Sequence, residues 1–215
     1  MFFYSKTISL VKCFKRFPYR TSIHQNFVSV YEFSFSPKYL LYTNTFLSIL
    51  LCGSADFVQQ NIEKYFSKKD RDYDFKRTWF MMIYGGVAAP ISHFWYIALD
   101  RLIMKGSIHA VVVKKLLADQ LICSPFFTIY FFLTISILQG HTVEKTKVEI
   151  KENALSVYMV DCMVWPPVQA INFYLIPSHL RVIYIAVASF GWDIFLSYSK
   201  FKDSNIKEDY LSVAG

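Results

Sequence analysis

Charge is scarce in this chain. Asp, Glu, Lys and Arg make up 18% of its 215 residues, against 54% hydrophobic and 19% aromatic. A soluble domain carries about 25% charged residues, so the deficit, with a mean hydropathy of +0.29, argues against a water-soluble fold. Cysteine is sparse too. Cys13, Cys52, Cys123 and Cys162 form no CxxC pair and show no metal spacing, which excludes a secreted disulfide framework. They read as small apolar residues within helices. The histidines, His24, His93, His109, His141 and His179, offer no i, i+3 or i, i+4 ligand pair. HExxH, G-x-S-x-G, Rossmann and P-loop fingerprints are missing; Gly85-Gly86 is not followed by GKS or GKT. Neither catalysis nor a cofactor or metal is therefore expected. No repeat of 20–50 residues is apparent, no RNA-binding signature occurs, and the basic tail alone is weak evidence for nucleic acid; direct DNA binding is not expected.

What is present is a series of long apolar runs. About 20 residues at 1.5 Å each cross a hydrocarbon core of about 30 Å. Residues 39–58, 79–99, 116–138 and the run from Ala154 meet that need, and a shorter run covers 182–199. The expected fold is all-α: a polytopic membrane bundle of about four transmembrane helices with proline kinks. Whether 182–199 crosses fully stays open, because Asp193 interrupts it. In the first run Ser48, Cys52, Gly53 and Ala55 form a small-residue strip, and Gly85 and Ala89 form a small-xxx-small pair in the second. Such residues let helices approach closely. Asp56 is placed at the interface, residues 61–77 are read as a solvated charged connection, and the alternating Lys and Glu of 143–153 as a solvated helical face. Thr142 is placed to cap the helix after the Gly140 turn.

Three segments follow from this: a basic N-terminal presequence or tail (1–36), the membrane helix bundle (37–200) and a polar C-terminal tail (201–215). In the first, Lys6, Lys12, Lys15, Arg16 and Arg20 precede the first acid, Glu32, and Leu10, Cys13, Phe14 and Phe17 share one side of a helix. That pattern suits a mitochondrial presequence or an uncleaved basic helix lying on anionic lipid. The C-terminus lacks the peroxisomal Ser-Lys-Leu ending. Basic residues occur in every loop, so the charge rule assigns no orientation.

The polar groups inside the apolar runs are the candidate functional residues. Proline removes a backbone donor and clashes one turn back, so Pro90, Pro125, Pro166-Pro167 and Pro177 are places where a helix kinks or stops. Freed backbone groups in hydrocarbon must be met by protein. Gln169 and Asn172, three residues apart, sit where their amides can answer such groups or bridge to a neighbour. Asp119 and Gln120 lie in the first turns of the third run; Asp119 either caps that helix or, deeper, pairs with Arg181 or Arg101. Asp100-Arg101 closes the second run, and Asp193 lies in the last. These residues read equally as polar glue and as a pathway.

Trp165-Pro166, Gln169, Asn172-Phe173, Pro177, Arg181 and Trp192 through Leu196-Ser197 resemble the C-terminal signature of the Mpv-seventeen/peroxisomal membrane protein family. The resemblance extends upstream to Gly86 through Pro90, His93, Trp95-Tyr96, Asp100-Arg101, Asp119-Gln120 and Pro125, and covers roughly residues 38–200. Thr43-Asn44-Thr45, Gln139 through Val143, and Gly191-Trp192-Asp193 before Leu196-Ser197-Tyr198 look like the branch called Mpv-like protein two. The resemblance implies a multi-span protein of the inner mitochondrial membrane, with the peroxisomal membrane as the alternative. That branch implies support of mitochondrial ribosome assembly and translation; the wider family implies a small channel or solute permeation protein. A purely structural scaffold is the third reading. The implied partners are the lipid bilayer, the large mitochondrial ribosomal subunit and further copies of the chain.

Overall fold

A computed structural model of the chain describes residues 33–36, 38–67, 72–102, 106–176 and 181–213, without the side chains at 100, 108, 173, 181–183 and 203–213. Nearly all of the basic segment 1–36 lies outside the described residues, as do Pro177 and the side chains of Asp100 and Arg181.

The described chain is helical throughout, with no strand among the described residues. Helix α1 covers Leu40–Ser67, α2 Phe75–Leu102 and α3 Ile108–Ala118. A π-helical turn, Asp119–Cys123, joins α3 to α4, Ser124–Leu138. Helix α5 is Val143–Tyr174 and α6 is Arg181–Val213. Four stretches are long and apolar enough to cross a membrane: Leu40–Phe66, Phe75–Leu99, His109–Leu138 and Val143–Asn172. Among the described residues α6 is not one of them. It runs on from the apolar stretch through residue 200 into the C-terminal segment.

Short connections make neighbouring helices antiparallel. The α1–α2 and α4–α5 turns therefore share one end of the bundle, here called the lower end. The α2–α3 and α5–α6 links share the upper end. The α4–α5 turn carries Gly140 at φ +71°, which a side chain would strain. The Thr142 hydroxyl then accepts from Lys145 N–H at 3.3 Å, the cap expected at that position.

Prolines do not end the helices they occupy. Pro90 lies inside α2, and Pro166 and Pro167 inside α5. This removes the stopping alternative at those positions. Pro125 is in the first turn of α4, directly after the π turn. Lacking an N–H, it cannot take the carbonyl four residues back. One residue earlier, Ser124 N–H bonds to Asp119 O, five back.

The small-residue strip brings α1 and α2 close together. A Cβ added at Gly85 would stand 2.7 Å from Cys52 Sγ and 2.8 Å from the Ser48 carbonyl oxygen, so α1 meets α2 where only hydrogen fits. Deeper packing comes from Met81, Tyr84, Phe131, Phe132, Ile135 and Leu196, all buried. Tyr84 and Phe131 meet edge to face with centroids 5.0 Å apart. Tyr42, Phe46, Leu50, Phe57, Leu133 and Ile137 face outward. In lipid such residues need no water-excluding partner, so the bundle is held by close packing and polar links between helices.

Candidate polar chamber and ion-pair cluster

Three layers stack along the bundle. At the lower end two charged clusters tie the helices. Arg77 of α2 donates Nε–H to Asp56 Oδ1 of α1 at 2.7 Å, and its two terminal nitrogens donate to Glu63 at 2.8 and 2.9 Å. Ser197 of α6 donates to Asp56 Oδ1 at 2.6 Å and accepts from Arg77 at 2.8 Å. Thr78 and Gln60 take the other Asp56 oxygen. The Arg77 guanidinium also lies 4.3 Å from the Phe201 ring centroid, a cation–π contact. In the second cluster Lys200 of α6 donates to Glu149 of α5 and to Ser136 of α4, and Ser136 donates to Glu149 at 2.6 Å. Desolvation lowers the Lys200 pKa from its ordinary value, opposed by its bond to Glu149.

Two expectations are corrected here. Asp56, placed at the interface, is fully buried, and Arg77 and Glu63 of the supposedly solvated 61–77 connection are its network. Glu149, read as part of a solvated face, anchors the buried Lys200. Both corrections have one cause: each charge faces an opposite charge on another helix, so burial costs less than exposure to lipid.

Above these clusters lies the aromatic layer of Phe131, Phe132, Met81, Tyr84, Ile135 and Leu196. Above that, toward the upper end, is a chamber of about 630 Å³. Its apolar walls are Leu47, Leu51, Tyr84, Tyr96, Phe127, Trp165, Phe190 and Trp192. Trp165 and Trp192 meet edge to face at 6.2 Å. Three carboxylates line it: Asp119 from the π turn, Asp161 from α5 and Asp193 from α6. Asp119 accepts from Trp95 Nε1 at 2.7 Å and from the Tyr96 hydroxyl at 3.1 Å. Asp161 accepts from the Ser124 hydroxyl, and Asp193 from the Cys52 thiol at 3.6 Å. Tyr158 OH donates to the Gln120 carbonyl at 3.1 Å, where the π turn redirects the backbone.

A comparison with known proteins fits this arrangement. The chain is 37% identical over 162 residues to PXMP2/4 family protein 4 of Dictyostelium discoideum, covering 74% of this chain and 86% of that one. It belongs to the Mpv17/PMP22 family. The family model matches residues 136–197, from the last three residues of α4 into α6 up to Ser197. Mitochondrial inner membrane protein Mpv17 of Caenorhabditis briggsae is 31% identical over 159 residues, 74% of this chain and 84% of that one. Protein SYM1 of Saccharomyces cerevisiae is 31% identical over 171 residues, 77% and 85% of the two chains. No solved structure matches.

Within this Mpv17/PMP22 member, six of the candidate residues gather at the chamber: Asp119, Gln120, Trp165, Gln169, Trp192 and Asp193. Asn172 is buried on α5 outside the chamber lining. Arg101 is exposed at the end of α2, so it does not pair with Asp119. The indole and phenol of Trp95 and Tyr96 take that role, because they come from the facing turn of α2 and arrive without a second buried charge. Asp161, Cys52 and Ser124 join the site although the spacing of motifs did not single them out. A lone acid inside the apolar run of α5 was the available signal for Asp161, of the same kind as Asp193.

Proposed function

We propose that this chain is a small-solute permeation protein of the mitochondrial inner membrane. One observation carries the reading: a chamber of about 630 Å³ lies inside the bundle among membrane-length helices, lined by Asp119, Asp161 and Asp193. Ionisable residues within a membrane are costly and face a bundle interior or a watery path when they occur. Glue would need a partner from another helix for each. All three have such bonds, but from neutral donors: Trp95 and Tyr96 to Asp119, Ser124 to Asp161 and Cys52 to Asp193. The aromatic layer below closes the chamber toward the lower end, so passage requires Phe131, Phe132 and Tyr84 to separate. The mitochondrial location is supported by the name of the Caenorhabditis briggsae relative.

Purified protein in planar bilayers tests this. The expected result is a conductance that Asp161→Asn and Asp193→Asn alter in size or selectivity. A silent bilayer, with vesicles tight to small solutes, would contradict it.

A second reading draws on the basic N-terminal segment and the branch resemblance: support of mitochondrial ribosome assembly and translation, with a membrane anchor meeting the large subunit. Its test is gradient profiling of mitochondrial ribosomal subunits after knockout and after loss of residues 1–36. An unchanged profile would remove it.

A further inference from the structure

Three carboxylates and two buried amide oxygens, all hydrogen-bond acceptors, line the chamber beside serine hydroxyls, the Asn44 amide and the His93 ring. Asp119, Asp161 and Asp193 accept hydrogen bonds. So does the side-chain oxygen of Gln169, which is 6% exposed, lines the chamber and has no hydrogen-bond partner among the described residues. The Gln120 side-chain oxygen is likewise buried without a described partner. No Lys or Arg is among the described residues of the lining. The broad faces of the wall are aromatic: Tyr84, Trp165 and Trp192.

Three carboxylates around one low-dielectric space lose their hydration, and Asp119 and Asp161 act on each other as like charges. Their described bonds come from a hydroxyl, an indole, a phenol, a thiol and the Gln120 amide, none of which carries a positive charge. An anion entering would add to the repulsion. A neutral solute would leave it unrelieved. A small inorganic cation would answer the charge but not the Trp165, Trp192 and Tyr84 faces, whose quadrupoles favour a cation with an apolar skirt.

We propose that the chamber is a binding site for an organic cation bearing N–H donors, of the alkylammonium or guanidinium class. Its ammonium hydrogens meet Asp161, Asp193 and the Gln169 carbonyl, and its carbon skeleton lies against Trp165 and Trp192. This names the solute class of the permeation reading and rests on it, although occupancy is measurable without transport.

Full-length protein in phosphatidylcholine nanodiscs, which carry no net surface charge, is titrated with spermidine by calorimetry, with glutarate as the anionic comparator. Saturable spermidine binding is expected, with none for glutarate. Asp161→Asn and Asp193→Asn keep side-chain shape and are each expected to weaken it by about ten-fold, the effect of losing one charge-assisted bond. Gln169→Met should weaken it less. Melting of each variant in the same nanodiscs shows that the fold is kept. Tryptophan quenching on spermidine addition, abolished in Trp192→Leu, gives a second readout. Spermidine that fails to bind, or binds equally to the Asp161→Asn/Asp193→Asn double variant, overturns the proposal. Binding that persists in a protein without conductance leaves the site standing and sinks the permeation reading alone.

Discussion

Arg77 and Asp56 form a buried ion pair, Nε to Oδ1 at 2.7 Å, across the first two helices of the bundle. Their side chains are 6% and 0% exposed, and Ser197 of the last helix bonds both. One guanidinium thus joins the first, second and last helices at the lower end. Four of its five N–H groups are used: one to Asp56, two to Glu63 and one to Ser197.

Removing Arg77 takes the counter-charge from the fully buried Asp56. Loss of one partner of a buried pair costs about 3–5 kcal/mol. Arg77→Gln is therefore expected to lower the melting temperature in detergent and the yield from membranes. Arg77→Lys should rescue little, because an ammonium cannot serve two carboxylates with the geometry of a planar fork. A lysine variant as stable as the parent would contradict this account of the cluster.

The glycines should separate cleanly. Gly85→Ala places a methyl 2.8 Å from backbone at Ser48, which cannot swing away, so α1 and α2 must part. Overpacking of this kind costs about 1–3 kcal/mol. At Gly191 an added Cβ meets nothing within 4 Å, and Gly191→Ala should be neutral. Thermal melts of the two variants in the same detergent check the ranking.

His141, in the α4–α5 turn, provides a pH response outside the membrane-spanning segments. Burial pushes its pKa below the ordinary 6.5, and the nearby Lys145 and Lys200 act in the same direction against Glu149. Lys145 Nζ lies 2.8 Å from Nε2, which suits a neutral ring that accepts. Because the folded pKa is lowered, the unfolded chain takes up the proton first as pH falls. This contribution is present above pH 6.5 and is lost as acidification proceeds through the folded pKa. Melting temperature should fall below pH 6.5, and His141→Asn should flatten that part of the curve relative to the parent.

The seal should be removable. Phe131 and Phe132 are fully buried between the chamber and the lower-end clusters. Replacing both by Ala opens volume in the layer that closes the path. The double variant is expected to pass more current or solute than the parent, measured in planar bilayers or by vesicle release. Unchanged or lower flux in a folded variant would show that the path does not run through this layer.

Much of the architecture was legible because hydrophobic length alone sets a membrane helix. The four apolar runs, the Gly85 contact and the Thr142 cap all follow from local chemistry. The Asp56–Arg77 pairing was not legible: they lie 21 residues apart on two helices, and by themselves Asp56 reads as an interfacial charge and Arg77 as part of a solvated connection. Lys200 and Glu149, 51 residues apart, hid for the same reason. Pairing across helices depends on which faces meet, and periodicity in one segment does not record that. At the chamber, Asp119, Gln169 and Asp193 stood out as polar groups in apolar surroundings. Trp95 and Tyr96 belong to the upstream family resemblance, but their role as donors to Asp119 emerges only once the π turn is placed beside them.

Water access, read position by position, tests the chamber most directly. Single cysteines are introduced into a cysteine-free chain at Asn44 and Ser189 of the chamber lining and at Ile135 of the aromatic layer. Sealed vesicles are then treated with a charged, membrane-impermeant thiol reagent from each side. The account predicts modification at positions 44 and 189 from one side only, and none at 135 from either. Modification at 135 as rapid as at 44, or no reaction at either chamber position, would contradict it.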